Sequence, residues 1–134
     1  MKSGRTVLEA KRLGVVTCPP EMHLARAAAL MVAEDISSLV VTNTQGYLVG
    51  IVTRMDLLRA YLRFPDTWAD LPVADIMSRE VITVSLDTTL HEVAQILMER
   101  HIHRVVVVEP EGDALLPLAV LSDGDLIYHL KKDL

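Results

Sequence analysis

The sequence has little of what redox proteins and nucleic-acid-binding proteins need. Only 4% of its 134 residues are aromatic, and only one residue, Cys18, is a cysteine. A single thiol forms no internal disulfide and has no second thiol for a metal or redox pair, so we interpret Cys18 as a small core side chain. A net charge of -5 provides no basic face for phosphate backbones. With so few aromatic rings to stack on bases, we predict no nucleic-acid partner.

Long apolar runs are missing as well. None approaches the roughly 18 residues that a membrane span needs, and Met1-Lys2-Ser3 leads into no signal-peptide core, so we expect a cytoplasmic protein with no membrane partner. Gly-x-Ser-x-Gly, Walker and dinucleotide motifs are absent, which favours a protein that is not an enzyme. The histidines His91, His101 and His103 match no zinc spacing, so we predict no metal site.

The composition does predict a folded chain. Apolar residues make up 51% of the sequence and charged residues 23%, and the mean hydropathy is +0.33. These values exclude a disordered chain. A length of 134 residues suits one compact domain, or two very small halves that share a core.

What the sequence does contain is a tandem repeat. The stretch Gly50–Asp56 is an apolar strand that ends in a hydroxyl and places a carboxylate three residues later, and Ala119–Asp125 repeats it. Upstream, the copies are 66 residues apart, as from Gly46 to Gly112. The spacing becomes 69 beyond these turns, which places three extra residues in the acidic hairpin Glu109–Asp113.

Each copy is predicted to contain a strand, a helix, a strand, a hairpin to another strand, and a helix. The opening strands are short β-rich runs, the first helices carry apolar residues at spacings of three and four, and the middle strands are continuously apolar and therefore buried on both faces. This is an α/β organisation with copies at residues 7–63 and 73–131, joined by a proline-containing linker at 64–72. The corresponding segments are Val7–Ala10 and Val73–Ile76, Val15–Thr17 and Val81–Thr83, the helices from Leu24 and Leu90, and Ile36–Val41 and Ile102–Val107.

The repeated hydroxyl and carboxylate allow two interpretations. Thr53 with Asp56, and Ser122 with Asp125, have the spacing of a helix capping box. A helix start also offers free N–H groups and a positive dipole end that favour phosphate, and a nearby carboxylate can accept hydrogen bonds from a ribose diol. Recurrence does not decide between them, because duplication copies a cap as readily as a binding site.

The β-branched pair before threonine, the alanine-rich helix, the apolar strand, the glycine hairpin and the Thr/Ser-x-x-Asp strand end together resemble the cystathionine-beta-synthase (CBS) domain. The resemblance runs from Val7 to Leu130, and two consecutive copies look like the pair called a Bateman module. It implies copies packed by pseudo-twofold symmetry through their sheets, with two clefts that hold adenosine-containing ligands. The hydroxyls Thr53 and Ser122 would meet phosphate, and Asp56 and Asp125 would meet ribose. The residues implied to flank adenine are Val16, Thr17, Ile82 and Thr83.

The copies differ at charged positions that bear on this ligand. The residue after the hydroxyl is Arg54 in the first copy and Asp123 in the second, and a carboxylate beside a phosphate lowers affinity. His103 and Arg104, which open a strand of the second copy, resemble phosphate-reaching residues of some family members. The alternative interpretation is that His103 is a partly packed histidine and Arg104 a surface arginine, with no role in ligand binding. We therefore expect the first cleft to suit a charged ligand better.

The resemblance implies a stand-alone regulatory module that requires no cofactor. Its expected ligand is AMP, ADP or ATP, with S-adenosylmethionine less favoured, and the ligand would change the orientation of the copies or the binding of a separate effector protein. We also expect a homodimer whose helices pack against those of a second copy. The alternative is a constitutive dimerisation module with no physiological ligand.

Overall fold

The computed structural model describes residues 4–10 and 13–134, which form two compact units. The first unit comprises residues 16–81, and the second comprises the described residues up to Val15 together with residues 82–134. Two short 3-10 helices, Trp68–Asp70 and Val73–Asp75, follow the last helix of the first unit. In chain order the elements are α1 (Val7–Ala10), β1 (Thr17–Cys18), α2 (Leu24–Glu34), β2 (Ser38–Thr42), β3 (Leu48–Thr53), α3 (Arg54–Arg63), β4 (Thr83–Val84), α4 (Leu90–Arg100), β5 (Arg104–Glu111), β6 (Ala114–Ser122) and α5 (Asp123–Lys132).

Each unit contains a three-stranded mixed sheet of the same topology. In the first unit β1 pairs with β2 in parallel, and β2 pairs with β3 antiparallel. In the second unit β4, β5 and β6 repeat this pattern. The register shifts between Val41 and Thr42 in one sheet and between Val107 and Val108 in the other, so the irregularity recurs at the repeat spacing. The predicted order of strands and helices is therefore confirmed.

The middle strand of each sheet is buried on both faces. Leu39, Val40 and Val41 are fully buried in β2, and consecutive strand residues point to opposite faces. Leu39 and Val41 join a core with α2 and α3, whose buried residues include Leu24 and Leu57. The equivalent core of the second unit is built from β5, α4 and α5. This burial confirms the interpretation of the uninterrupted apolar runs.

The opening residues of each repeat lie in the core of the unit that contains most of the other repeat. Val73 is fully buried in the core of the first unit, against which Trp68 also packs. Its repeat equivalent, Val7, is fully buried in the core of the second unit. Arg5 adds polar contacts there, since its Nη1 lies 3.3 Å from Asp133 Oδ1. The compact units thus group residues 4–10, 13–15 and 64–81 differently from the repeats read along the sequence.

The three extra residues of the second copy lengthen its hairpin. β5 and β6 contain 8 and 9 residues, whereas β2 and β3 contain 5 and 6. Gly112 turns this hairpin at a φ of 62°, and Gly46 turns the shorter one at 86°, a region in which glycine meets no steric penalty. The opening strands β1 and β4 contain only two residues each. β1 begins at Thr17 and β4 at Thr83, which are the last residues of the two β-rich runs that predicted these strands.

Among the described residues, no helix combines the length and the apolar character that crossing a membrane requires.

Candidate functional site

Thr53 and Asp56 form a complete capping box at the start of α3. The Asp56 amide donates to Thr53 Oγ1 at 3.3 Å. Asp56 Oδ2 accepts from the Thr53 amide at 2.8 Å and from the Thr53 hydroxyl at 3.0 Å. The other carboxylate oxygen, Oδ1, accepts from Arg59 Nη1 at 3.1 Å. One oxygen of Asp56 therefore holds the helix start, and the other forms an ion pair with an exposed arginine.

Ser122 and Asp125 repeat this box at the start of α5. Asp125 Oδ2 accepts from the Ser122 amide at 2.9 Å, and the Asp125 amide donates to Ser122 Oγ at 3.1 Å. Each box satisfies amides that the helix leaves without partners. The capping interpretation of both motifs is thus correct, and a ligand role would have to use the remaining capacity of the same side chains.

Asp56 lines an open cavity of about 470 Å³ within the first unit. Its apolar wall contains Leu71 and Ile76 from the segment that follows α3. Its charged wall contains two arginines from α3 itself. A volume of this order suits a nucleotide-sized ligand. The complete lining is Asp56, Arg59, Ala60, Arg63, Phe64, Leu71, Asp75 and Ile76.

Sequence reasoning missed Arg59 and Arg63. They follow Asp56 by three and seven residues, a spacing that places all three side chains on one face of a helix. That spacing was readable from the sequence. The apolar wall was not, because it depends on how residues 64–76 fold back along α3.

Arg54 lies in a different cavity from Asp56. It lines an open groove of about 560 Å³ between α2 and α3, together with the apolar residues Met31, Val32 and Leu58. The prediction was that Thr53, Arg54 and Asp56 act together on one ribose phosphate, but Asp56 and Arg54 line different cavities and Thr53 lines neither of them. Thr53 and Asp56 are in contact, whereas Arg54 faces the helix groove.

A matching groove of about 500 Å³ lies between α4 and α5 in the second unit, where His103 and Asp123 line it. His103 Nδ1 is 3.1 Å from Asp123 Oδ2. This hydrogen bond, more than any other contact, lowers the pKa of the Asp123 carboxyl, and the Gly124 amide contributes as well. Asp123 thus has a partner for its charge, and His103 is directed to that carboxylate.

The remaining predicted residues lie at the first position of β1, β4 or β5, or directly before β1 or β4. The carbonyls of Val16 and Ile82 accept from the amides of β2 and β5 at 3.2 and 3.1 Å, and Thr83 pairs with Val106. Thr17 lines a separate cavity of about 330 Å³ beside Cys18. The half-buried Arg104 pairs with Ser122 across the β5–β6 ladder.

The histidines weighed as metal ligands have other surroundings. His101 ends α4 with a left-handed φ of 53°, and His91 is exposed on α4. In residues 4–10 and 13–134, no three His, Cys, Asp or Glu side chains come together as a possible metal site.

Comparison with known proteins gives a consistent result. The family model for the CBS domain matches residues 10–63 and 73–132. An inosine-5'-monophosphate dehydrogenase of Nitrosopumilus maritimus is 33% identical over 79% of this chain and 22% of its own length. An uncharacterized protein of Methanopyrus kandleri is 28% identical over 88% of this chain and 60% of its own. The chain thus spans less than two thirds of these relatives.

Solved structures share the fold over nearly the whole chain. A CBS-domain protein from Agrobacterium tumefaciens superposes with a TM-score of 0.82 at 25% identity, covering 92% of this chain and 96% of that one. The structure of CBSX2 in complex with AMP superposes with a TM-score of 0.82 at 23% identity, and the match covers 97% of this chain and 98% of that one. A CBS domain pair in complex with 5'-methylthioadenosine and S-adenosyl-L-methionine superposes with a TM-score of 0.84 at 22% identity. That match covers 96% of this chain and 98% of the other.

Proposed function

Because the chain belongs to the CBS domain family, we propose that it is a regulatory module that binds an adenosine nucleotide in the cavity of Asp56. The observation that carries this proposal is that the two oxygens of the Asp56 carboxylate have different partners. Asp56 Oδ2 is committed to the capping box, while Oδ1 meets only an exposed arginine in the described structure. Oδ1 can therefore accept a hydrogen bond from a ribose hydroxyl without any loss of the helix cap.

The cavity favours AMP, ADP or ATP among adenosine compounds. Leu71 and Ile76 offer apolar contacts to a purine, and Arg59 and Arg63 offer positive charge to a phosphate. S-adenosylmethionine suits it less well, because its sulfonium cation would lie near these guanidinium groups. Similar structures hold AMP in one case and 5'-methylthioadenosine with S-adenosyl-L-methionine in another, which makes adenosine compounds the first ligands to test.

A second site at Ser122 and Asp125 is a weaker part of the proposal. The charge of Asp123 disfavours a phosphate nearby. Binding of an anionic nucleotide in the second unit should therefore be weaker than in the first.

The proposed mechanism of regulation is differential binding. A nucleotide that binds one conformation of the protein more tightly than another shifts the population toward it, and an effector protein reads the change. We include homodimerisation through the helix grooves in the proposal. A constitutive dimerisation module is the second candidate, favoured by the apolar lining of both grooves.

Isothermal titration with Asp56→Ala tests the nucleotide proposal. Removal of a charged hydrogen-bond partner of the ribose should weaken AMP binding about ten- to hundredfold. Glu92→Ala is a matched control, because Glu92 accepts from the Thr89 amide in the same type of box on α4. Both substitutions should lower the free energy of unfolding by about 1 kcal/mol, but only Asp56→Ala should lower the affinity for AMP.

Two results would decide against the proposal. If AMP, ADP and ATP at millimolar concentration leave the melting temperature of the wild type unchanged, the constitutive module is the better description. If Asp125→Ala abolishes binding while Asp56→Ala leaves it intact, the nucleotide site belongs to the second unit.

A further inference from the structure

Two guanidinium groups line the cavity of Asp56, and their side chains lie at the surface of the first unit and not in its core. Arg59 and Arg63 are one turn apart on α3, about 6 Å along the helix axis. Both line the cavity. The side chain of Arg59 is 70% exposed, and Arg63 is exposed as well. Neither side chain is held by the core of the unit, so a ligand can recruit both.

We infer that Arg59 and Arg63, and not Arg54, bind the phosphate of the nucleotide whose ribose meets Asp56. The inference rests on the proposed nucleotide function and assigns it an anion subsite. Arg54 follows the motif hydroxyl directly, but it lines the groove between α2 and α3, whose other lining includes Met31 and Val32. A phosphate attached to a ribose at Asp56 would find its cations further along α3.

Ligand entry exchanges one ion pair for another. Arg59 Nη1 donates to Asp56 Oδ1 at 3.1 Å, and an exposed pair of this kind adds little to stability. When a ribose hydroxyl donates to Oδ1, Arg59 is released toward the phosphate. The carboxylate and the guanidinium both keep a partner, so the exchange leaves no charge unpaired.

Arg63 is held in a suitable position by an aromatic ring. Its guanidinium carbon lies 5.3 Å from the centroid of Phe64, which also lines the cavity. A guanidinium over a ring face keeps its in-plane N–H groups available to phosphate oxygens. The remaining charge of the cavity, Asp75, comes from the 3-10 helix Val73–Asp75 and not from α3. The two arginines therefore form a positive wall on one element.

The second unit does not repeat this wall. The positions that correspond to Arg59 and Arg63 at the 69-residue spacing are Tyr128 and Lys132, and the Lys132 ammonium lies 5.2 Å from the Tyr128 ring centroid. The position that corresponds to Leu71 is Arg5, which donates to the His129 carbonyl at 3.1 Å. Recognition of phosphate by paired arginines is thus a property of the first unit.

The test compares AMP with adenosine, which differ only in the phosphate. We expect the wild type to bind AMP at least about tenfold more tightly than adenosine in isothermal titration. Arg63→Gln and Arg59→Gln should each reduce this ratio about five- to tenfold. Adenosine itself should keep its affinity within about twofold in Arg63→Gln, and should bind equally well or more tightly in Arg59→Gln, where Asp56 Oδ1 has lost its competing donor.

Arg54→Gln is the matched control, since it is the same substitution on the same helix. It should leave the ratio of AMP to adenosine affinity unchanged. The inference is wrong if the ratio of AMP to adenosine affinity falls in Arg54→Gln. It is also wrong if that ratio is unchanged in both Arg59→Gln and Arg63→Gln while Asp56→Ala still weakens AMP binding. A wild type that binds neither AMP nor adenosine overturns the proposed function and the phosphate subsite together.

Discussion

At the scale of single residues, a hydroxyl followed three positions later by an acid recurs at the starts of α1, α3, α4 and α5. Thr6 with Glu9 and Thr89 with Glu92 make the same contacts as the two pairs of the Thr/Ser-x-x-Asp motif. The motif alone therefore indicates a cap. What distinguishes Asp56 is its surroundings, because Asp56 lines a cavity with two arginines and its second oxygen accepts from one of them, Arg59.

Cys18 gives a prediction at the same scale. Burial raises the pKa of its thiol to about 11 from a usual 9.0. Between these values the unfolded chain has released its proton and the folded chain retains it, so the stability that Cys18 contributes is complete below pH 9 and falls as pH rises to 11. Urea unfolding of the wild type and Cys18→Ala across this range should show a steeper loss of stability in the wild type. Equal slopes would contradict the prediction.

At the scale of elements, the sequence predicted what local chemistry determines. Periodicity located α2 and α4. Of the apolar stripe predicted for α2, Leu24, Ala27 and Met31 are buried and Ala28 is half-buried. The lengths of β1 and β4 were less accessible, because pairing with the middle strand sets them. At the candidate site, the spacing of Thr53 and Asp56 predicted their capping contact. The cavity beside them was not predictable, since Leu71 and Ile76 reach it only through the path of the chain after α3.

Gly50 provides a prediction about one of these tertiary contacts. A Cβ at Gly50 would lie 2.7 Å from Met77 Sδ and 2.9 Å from the Ser78 carbonyl oxygen. Ser78 pairs with the adjacent Ile51 through two 2.9 Å backbone hydrogen bonds, so the backbone cannot withdraw freely. Gly50→Ala should therefore lower the free energy of unfolding by about 1 to 3 kcal/mol.

The control for Gly50→Ala is Gly124→Ala, measured by the same urea unfolding. A Cβ at Gly124 would be 3.7 Å from Ser122 Oγ, an ordinary contact. Gly124 lies in the first turn of α5, where alanine should be neutral or stabilising by up to about 1 kcal/mol. Equal effects of the two substitutions would show that the approach of Ser78 to β3 is not constraining.

At the scale of the whole molecule, each unit presents an apolar groove between its two longer helices. Val32 is 82% exposed in the first unit and Met98 76% in the second. The groove of the first unit carries Asp35 and Arg54 at one end, and that of the second carries His101 and Asp123 at the corresponding positions. Exposed apolar surfaces of this kind mark association sites, and the opposite charges of Arg54 and Asp123 at equivalent positions suit two copies of the same chain.

Light scattering should therefore give twice the chain mass of 14.8 kDa at micromolar concentration. Val32→Asp and Met98→Asp place a charge in the proposed interface and should each raise the dimer dissociation constant by about a hundredfold or more. Leu8→Asp is the control, because Leu8 is exposed on α1 and lines neither groove. A wild type of single-chain mass, or loss of the dimer in Leu8→Asp alone, would contradict the assignment.

The burial of Val7 in the second unit and of Val73 in the first also has a consequence for biosynthesis. The first unit is made of one continuous stretch, residues 16–81, so all of its residues are available once this stretch has left the ribosome. The second unit has to recruit residues 4–10, made first, to a core completed by Leu126, made more than a hundred residues later. Closing so long a loop is entropically costly and slow. The segment of Val7 should therefore remain unpaired until the residues up to Leu126 have been made.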